Sequence, residues 1–308
     1  MTPKTAIATE GLTKHYGDRV AVDGLDLEVP TGVVAGFVGP NGAGKTTTMA
    51  MLLGLVRPTS GQGSVLGHPL SDPSSYLRRV GALIEGPAFY PALTGRQNLT
   101  VVATVAGHDR AGIPELLRMV GLEGRADDRF GRYSLGMKQR LGIAAALLGD
   151  PGLLILDEPA NGLDPAGIHE MRTLLARIAR HDRTVFVSSH VLSELEQVCD
   201  WLVMIDNGRL LFQGPAAELV GRQVTSLAVG CLTAGDLDVL RRVLLSGGHR
   251  VEEVDGELRV GVDGVDPVTL AAAVNRGAFD AGVVLTELRA VRTNLEERYL
   301  AMVTGGDR

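Results

Sequence analysis

Near its amino-terminal end the sequence reads Val33-Val34-Ala35-Gly36-Phe37-Val38, followed by Gly39-Pro40-Asn41-Gly42-Ala43-Gly44-Lys45-Thr46-Thr47. The first part is a continuous apolar run, which suits a strand buried on both faces. The second part has the pattern G-x-x-x-x-G-K-[ST], a phosphate-binding loop. Its glycines let backbone N–H groups wrap phosphates without Cβ clashes. The helix expected after it points its positive end at the same phosphates. Lys45 supplies a point charge for the β- and γ-phosphates. Only four of the 30 basic residues are Lys, so a Lys here is not compositional noise. The Thr46 hydroxyl suits Mg²⁺, and Thr47 is expected near the α-phosphate.

A matching strand lies farther along. Leu153-Leu154-Ile155-Leu156 is a second buried run, and it delivers Asp157 and Glu158 at its carboxyl end. Ligands of open α/β sheets bind at that end. In the Walker B reading Asp157 holds Mg²⁺, directly or through water, and Glu158 takes a proton from an attacking water. Two acids ending a strand would otherwise be ordinary surface residues. Thr184–Val187 is a third buried strand, and Met171–Arg180 reads as an amphipathic helix. Val203-Met204-Ile205 and Arg209–Phe212 flank Asp206-Asn207-Gly208, a hairpin signal. Residues 5–38 read as strands and 88–150 as mostly helical, with breaks near Gly107 and Gly124. Strands alternating with helices imply a mostly parallel sheet covered on both faces.

The chain has 308 residues, 45% hydrophobic and 21% charged, the range of an ordinary globular protein of about two domains. Its charge of −6 argues against nucleic acid as the main ligand. The longest charge-free stretch, Val29–Gly44, is interrupted by Pro and Gly and is too short for a membrane span. Met1-Thr2-Pro3-Lys4 lacks an apolar signal core, so the chain is expected to stay in the cytoplasm. Cys199 and Cys231 are the only cysteines; they exclude a disulfide scaffold and read as small buried hydrophobes.

Composition shifts after Gly214-Pro215: residues 216–308 carry 14 acids and 10 Arg but no Lys. The expected elements there are strand 224–231, helix 235–245, strands 250–254 and 257–262, helix 267–276 and strand 282–286. This β-α-β-β-α-β order fits a small ferredoxin-like α+β unit. A last helix, 293–303, would carry Leu295, Tyr299, Leu300 and Met302. The expected organisation is therefore a nucleotide-binding domain over 1–215, with a helical subdomain at about 88–150, and an accessory domain over 216–308.

Tyr133-Ser134-Leu135-Gly136-Met137-Lys138-Gln139-Arg140 opens a helix with Ser134 as its cap, and Leu141, Ala144, Ala145 and Leu148 form an apolar face. Gly149 and Pro151 end it. Alone, this would be an ordinary capped helix. Together with the two phosphate-site motifs, the chain over about 5–215 resembles the ATP-binding subunit of ABC transporters. In that resemblance Tyr16, within Lys14-His15-Tyr16-Gly17, stacks on adenine. Ser134 and Gly136 occupy the signature motif, normally Ser-Gly-Gly-Gln, from which Leu135 and Met137 depart. Gly162-Leu163-Asp164-Pro165 matches the D-loop, and Ser188-Ser189-His190 the switch, with His190 near the γ-phosphate. Glu85, in Gly81-Ala82-Leu83-Ile84-Glu85-Gly86-Pro87, stands where the family usually has Gln. With Phe89-Tyr90-Pro91 and Leu93-Thr94-Gly95 after it, the segment is similar to the bacitracin, lantibiotic and drug exporter branch.

The resemblance implies a P-loop ATPase core with an antiparallel β subdomain and a helical subdomain. It implies ATP and Mg²⁺ as ligands and a head-to-tail homodimer, with each ATP meeting Lys45 of one subunit and Ser134 and Gly136 of the other. It also implies a separate transmembrane permease, received around Glu85–Asn98, and a chain peripheral to the inner face of the membrane. Two alternatives remain at this level: a soluble relative acting on nucleic acid or ribosomes, and a module that holds ATP without turnover. The first normally has paired ATPase domains or a long coiled-coil insertion. Lys45, Asp157, Glu158 and His190 weigh against the second.

Overall fold

The computed structural model describes residues 5–179, 183–191, 198–219, 224–262, 264–292 and 299. The described residues form two compact units, one running to Ala216 and the other starting at Ala217.

The first unit is built on a sheet of six strands. β4 (Val34–Val38), β7 (Val80–Leu83), β8 (Leu153–Leu156), β9 (Thr184–Ser189), β10 (Trp201–Asp206) and β11 (Arg209–Pro215) lie in the order β11-β10-β4-β9-β8-β7. All neighbours are parallel except the β10–β11 hairpin. Every residue of β4, β8 and β9 is buried, as continuous apolar runs require when both faces are covered. Phe37 and Phe186 stack at 5.0 Å between neighbouring strands. The hairpin turns at Asn207 and Gly208, both with positive φ (46° and 79°), as a two-residue turn matched to strand twist demands.

Register aligns the strand ends. Leu83 pairs with Leu156, Leu156 with Val187, and Val38 with both Ser189 and Met204. Residues 39, 84–85, 157–158 and 190 thereby leave the sheet beside the last residues of β9, Ser188 and Ser189, along one edge, the carboxyl edge where ligands of such sheets bind.

A second, antiparallel sheet comprises β1 (Thr5–Tyr16), β2 (Arg19–Leu25), β3 (Glu28–Pro30), β5 (Ser60–Val65) and β6 (His68–Pro69), in the order β2-β1-β5-β6 with β3 on β1. The sequence gives little warning of β5, because Ser60-Gly61-Gln62-Gly63-Ser64 has poor strand propensity. The glycines are there for closeness: a Cβ on Gly61 or Gly63 would stand 2.2 Å from Gly11 O or 2.6 Å from Ala8 O.

The helical part holds α2 (Gly95–Ala106), α3 (Ile113–Met119) and α4 (Leu135–Ala146), following α1 (Lys45–Leu52) in chain order. α2 starts with a capping box, in which Thr94 accepts from Gln97 N and Gln97 accepts from Thr94 N. It ends at Gly107 in the left-handed region, and a short 3₁₀ turn covers Gly124. Ser134 caps α4 by accepting from Met137 N at 3.3 Å. The apolar face of α4 is broader than its stripe suggests, because Gly142 and Ile143 are buried as well. Gly142 is needed there, since a Cβ would come 2.9 Å from Leu83 and 3.1 Å from Pro87. α5 (Pro165–Ala179) begins six residues before the expected Met171. Its first turn has almost no apolar stripe, so periodicity misses it; Pro165 opens it and Asp164 Oδ1 accepts from Gly167 N.

The second unit begins within α6 (Ala216–Leu219). β12 (Val224–Cys231), α7 (Ala234–Ser246), β13 (Val251–Val254), β14 (Glu257–Gly261), α8 (Pro267–Asp280) and β15 (Leu285–Arg292) form an antiparallel sheet in the order β13-β14-β12-β15. Each β-α-β connection thus skips one strand. Leu227, Val229, Leu258 and Val260 meet Leu240, Leu244, Leu270 and Val274 in a separate core. β15 extends six residues beyond the expected end at 286, because its polar face carries Glu287 and Arg289, which obscure the apolar signal; Arg289 pairs with Glu287 and Glu257. The expected helix over 293–303 lies outside the described residues apart from Tyr299.

Cys199 is buried, as expected, whereas Cys231 is half-buried. Burial, then the charge of Asp200, pushes the Cys199 thiol up to about 12. Burial also raises Cys231, with Asp236 adding to it. A thiol-disulfide dye at mildly alkaline pH should therefore leave Cys199 unmodified until the chain unfolds, with Cys231 reacting slowly. The fold favours the neutral thiol of Cys199, so stability is intact below the ordinary thiol value and declines as pH rises toward about 12. Fast native labelling of Cys199 would contradict the burial.

Candidate functional site

Gly44 has φ 104°, and a Cβ there would stand 2.4 Å from Ala21 O. A Cβ on Gly39 would stand 2.4 Å from Ile205 O. The loop is therefore pressed between β2 and β10, and only glycine fits at either point. The β10–β11 turn braces it further: Gly208 N donates to Ala43 O at 3.0 Å, and Asp23 N to Gly208 O at 2.9 Å. At the far end of α1, the fully buried Tyr76 donates its hydroxyl to Leu52 O at 3.0 Å. Burial, then Asp72, raises the Tyr76 phenol above its ordinary value, so it remains a donor.

Lys45 is only 6% exposed, and its ammonium is fully occupied. It donates to Gly39 O at 2.6 Å and Pro40 O at 3.3 Å and lies 3.2 Å from Glu158 Oε1. The other oxygen of Glu158 lies 2.7 Å from His190 Nδ1. Glu158 is itself in the left-handed region at φ 48°, and its N–H donates to Ser188 Oγ at 2.8 Å. Ser188 in turn donates to Asp157 Oδ1 at 2.6 Å, while Thr46 Oγ1 donates to Asp157 Oδ2 at 2.7 Å. Asp157 N donates to Leu83 O at 2.8 Å, tying the acidic turn to β7. Lys45, Thr46, Asp157, Glu158, Ser188 and His190 form one connected polar network on the carboxyl edge of the sheet. Its members come from three segments far apart in sequence.

Beside this network lies a cavity of about 260 Å³. Asn41, Gly42, Gly44, Thr46 and Thr47 form one wall, and Tyr16, Arg19 and Ala21 another. Tyr16 is half-exposed, with the Lys14 ammonium 5.0 Å from its ring centre. A larger cavity of about 810 Å³ opens between β5 and the end of α1, but it contains none of these residues.

Other expected site residues stand apart from the network. Ser134, Gly136 and Asp164 make no hydrogen bond to it; instead Ser134 and Asp164 cap their own helices. The two motifs do meet: Cβ atoms built on Gly136 and Gly162 would lie 3.7 Å from Leu163 and 3.1 Å from Leu135. Glu85 sits two residues beyond β7 at φ 57°, exposed, with no hydrogen-bond or ion-pair partner among the described residues. Asn98 is fully buried and clamps the following loop, accepting from Tyr90 N and donating to Tyr90 O and Thr94 O at 2.9, 3.1 and 3.0 Å. Three further residues come to the site only through the fold: Ser188, which stands in the sequence only as part of the switch motif, bridges the two acids, and Arg19 and Asn161 line the cavity with no motif of their own.

A buried parallel sheet, a glycine loop opening a helix, and a Lys-carboxylate-His cluster at the strand ends define a phosphate-loop ATPase domain. Residues 22–161 match the family described as ABC transporter. The chain is 40% identical over 305 residues to the bacitracin transport ATP-binding protein BcrA of Bacillus licheniformis, covering 98% of each. It is 43% identical over 205 residues to the lantibiotic transport ATP-binding protein SrtF of Streptococcus pyogenes, covering 66% of this chain and 88% of that one. The solved structure of an ATP-binding subunit of an ABC transporter superposes with a TM-score of 0.62 at 32% identity, over 70% of this chain and 92% of that one. The chain belongs to the ABC transporter ATP-binding family and is an ATP-hydrolysing subunit of that family. Among the described residues no helix is long and apolar enough to cross a membrane.

Proposed function

We propose that this chain powers a separate permease that exports an antibiotic peptide, a drug or a similar compound. The observation that carries the catalytic part is the position of Glu158, held between Lys45 at 3.2 Å and His190 at 2.7 Å. A carboxylate fixed from both sides at a strand end is suited to accept a proton from a water aimed at the terminal phosphate. His190 orients it, and Lys45 engages the phosphates. Tyr16 stacks on the base and residues 39–47 cradle the phosphates. Relatives named for bacitracin and lantibiotic transport support the cargo class.

Mg²⁺ fits the residues present. Thr46 and Asp157 offer a hydroxyl and a carboxylate, both hard oxygen donors, meeting at 2.7 Å. Two protein oxygens with the remaining places left to phosphate and water is the usual mode for this ion. When bound it neutralises charge on the phosphate chain. Ser188 keeps Asp157 oriented for that task.

The active assembly in this reading is a homodimer, with Ser134, Gly136 and Asp164 completing the site of the facing copy. Their separation from the network within one chain is consistent with that arrangement. Residues 216–308 act as an accessory domain in regulation or dimer support, and the chain sits on the inner membrane face through its permease.

The test is reconstitution in liposomes with its permease, measuring ATPase activity with and without a bacitracin-type peptide. Stimulation by permease and peptide is expected; the same rate in all conditions would overturn the transport reading. The same assay tests Glu85, proposed to link the site to the permease. Glu85→Gln should keep activity, because it preserves length and polar reach. Glu85→Ala should lower permease-stimulated turnover several-fold while leaving ATP affinity unchanged. An Ala variant equal to wild type in both would make Glu85 an ordinary surface acid.

A further inference from the structure

The β1–β2 hairpin closes on the pair Tyr16 and Arg19, which are directly opposite in register across the Gly17-Asp18 turn. Cross-strand partners project to the same face of a sheet, with Cβ atoms about 5 Å apart. Both side chains line the 260 Å³ cavity whose facing wall is the phosphate loop. Arg19 reaches that wall: a Cβ built on Gly42 would stand 3.9 Å from Arg19 Nη2. Gly42 has φ 86°, so this part of the loop is free of side chain and its backbone is open to a ligand.

Charge balance separates Arg19 from Lys45. Lys45 is already matched by Glu158 and two carbonyls. Asp157 and Glu158 add two negative charges to the network. Arg19 is exposed and has no hydrogen-bond or ion-pair partner among the described residues. It is a cation on the cavity wall with its donors unspent, beside an aromatic ring. A guanidinium offers a planar fork of donors that matches phosphate oxygens.

We propose that Arg19 is a second phosphate-binding cation of this site, donating to the phosphate chain of the nucleotide from the hairpin side, opposite Lys45. The hairpin tip then supplies two complementary contacts from one turn, an aromatic face for the base and a fork for the phosphates. This rests on the ATP site described above and adds a residue to it.

The test is displacement of a fluorescent ATP analogue from the full chain by ATP and by adenosine. Arg19→Gln keeps most of the side-chain length and a donor but removes the charge; ATP affinity should fall about tenfold and adenosine affinity should not change. Arg19→Lys keeps the charge without the fork and should fall between the two. ATP affinity within twofold of wild type, or equal losses for ATP and adenosine, would overturn the assignment. Lys45→Ala run alongside separates the two claims. If it abolishes ATP binding while Arg19→Gln does nothing, only Arg19 is wrong; if neither changes ATP binding, the phosphate site itself is wrong.

Discussion

Glu158→Gln should lower ATP turnover by on the order of 100- to 1,000-fold while ATP affinity is kept or improved. The amide has the same shape and can still meet His190 Nδ1, now 2.7 Å from Oε2, so the turn should not collapse. What is lost is the negative charge that would accept a proton. What is gained is a freer Lys45, because Glu158 lies 3.2 Å from its ammonium and competes with phosphate for it. Affinity and turnover should therefore move independently, which a merely structural role for Glu158 does not produce. Single-turnover hydrolysis and equilibrium ATP binding on the same preparation check this. Gel filtration with Mg-ATP adds a further readout: if hydrolysis separates the proposed homodimer, the Gln variant should accumulate as a dimer. Wild-type turnover in this variant would remove Glu158 from the chemistry.

Much of this site is legible in the sequence because each part satisfies a local rule. Residues 33–38 and 153–156 are apolar without interruption, so their burial and their role as strands follow directly. Gly44 and Gly39 mark places where backbone must pass close to backbone. Ser134 announces a helix start by its own hydroxyl. The missing parts are those set by tertiary contacts. β5 is a strand because β1 accepts it at glycine distance, not because Ser60–Val65 prefers to be one. The first turn of α5 forms under Asp164 and Pro165 with hardly any apolar signal.

The electrostatics were the least legible. That Lys45 would be paired with Glu158, 113 positions away, depends on strand order β4-β9-β8 and on register. So does the bridge by Ser188, which sits on β9 between the strands carrying the loop and the two acids. A motif search sees three separate signatures. The sheet makes one network of them, and the order of its strands dictates that Ser188 rather than a neighbour fills the gap.

Lys45→Ala should abolish measurable ATP binding, a loss on the order of 100-fold or more. Three consequences act together. The variant removes the ammonium that meets the phosphates. It leaves Gly39 O and Pro40 O without the donor they now share at 2.6 and 3.3 Å. It also leaves Glu158, only 19% exposed, without its counter-ion, and a poorly solvated carboxylate then repels phosphate instead of sharing a cation with it. Lys45→Arg should not rescue binding. The guanidinium is longer and planar, and the pocket around Lys45 is 6% exposed and closed by backbone carbonyls, so the fork has no room to turn. The combination Lys45→Ala with Glu158→Gln isolates the last consequence. Removing the orphaned charge should recover part of the lost affinity, whereas phosphate contact alone predicts no recovery. Equilibrium binding of a fluorescent ATP analogue to the wild type, both single variants and the pair decides between them, because a pair no better than Lys45→Ala would show that Lys45 serves the phosphates and that its bond to Glu158 carries no weight.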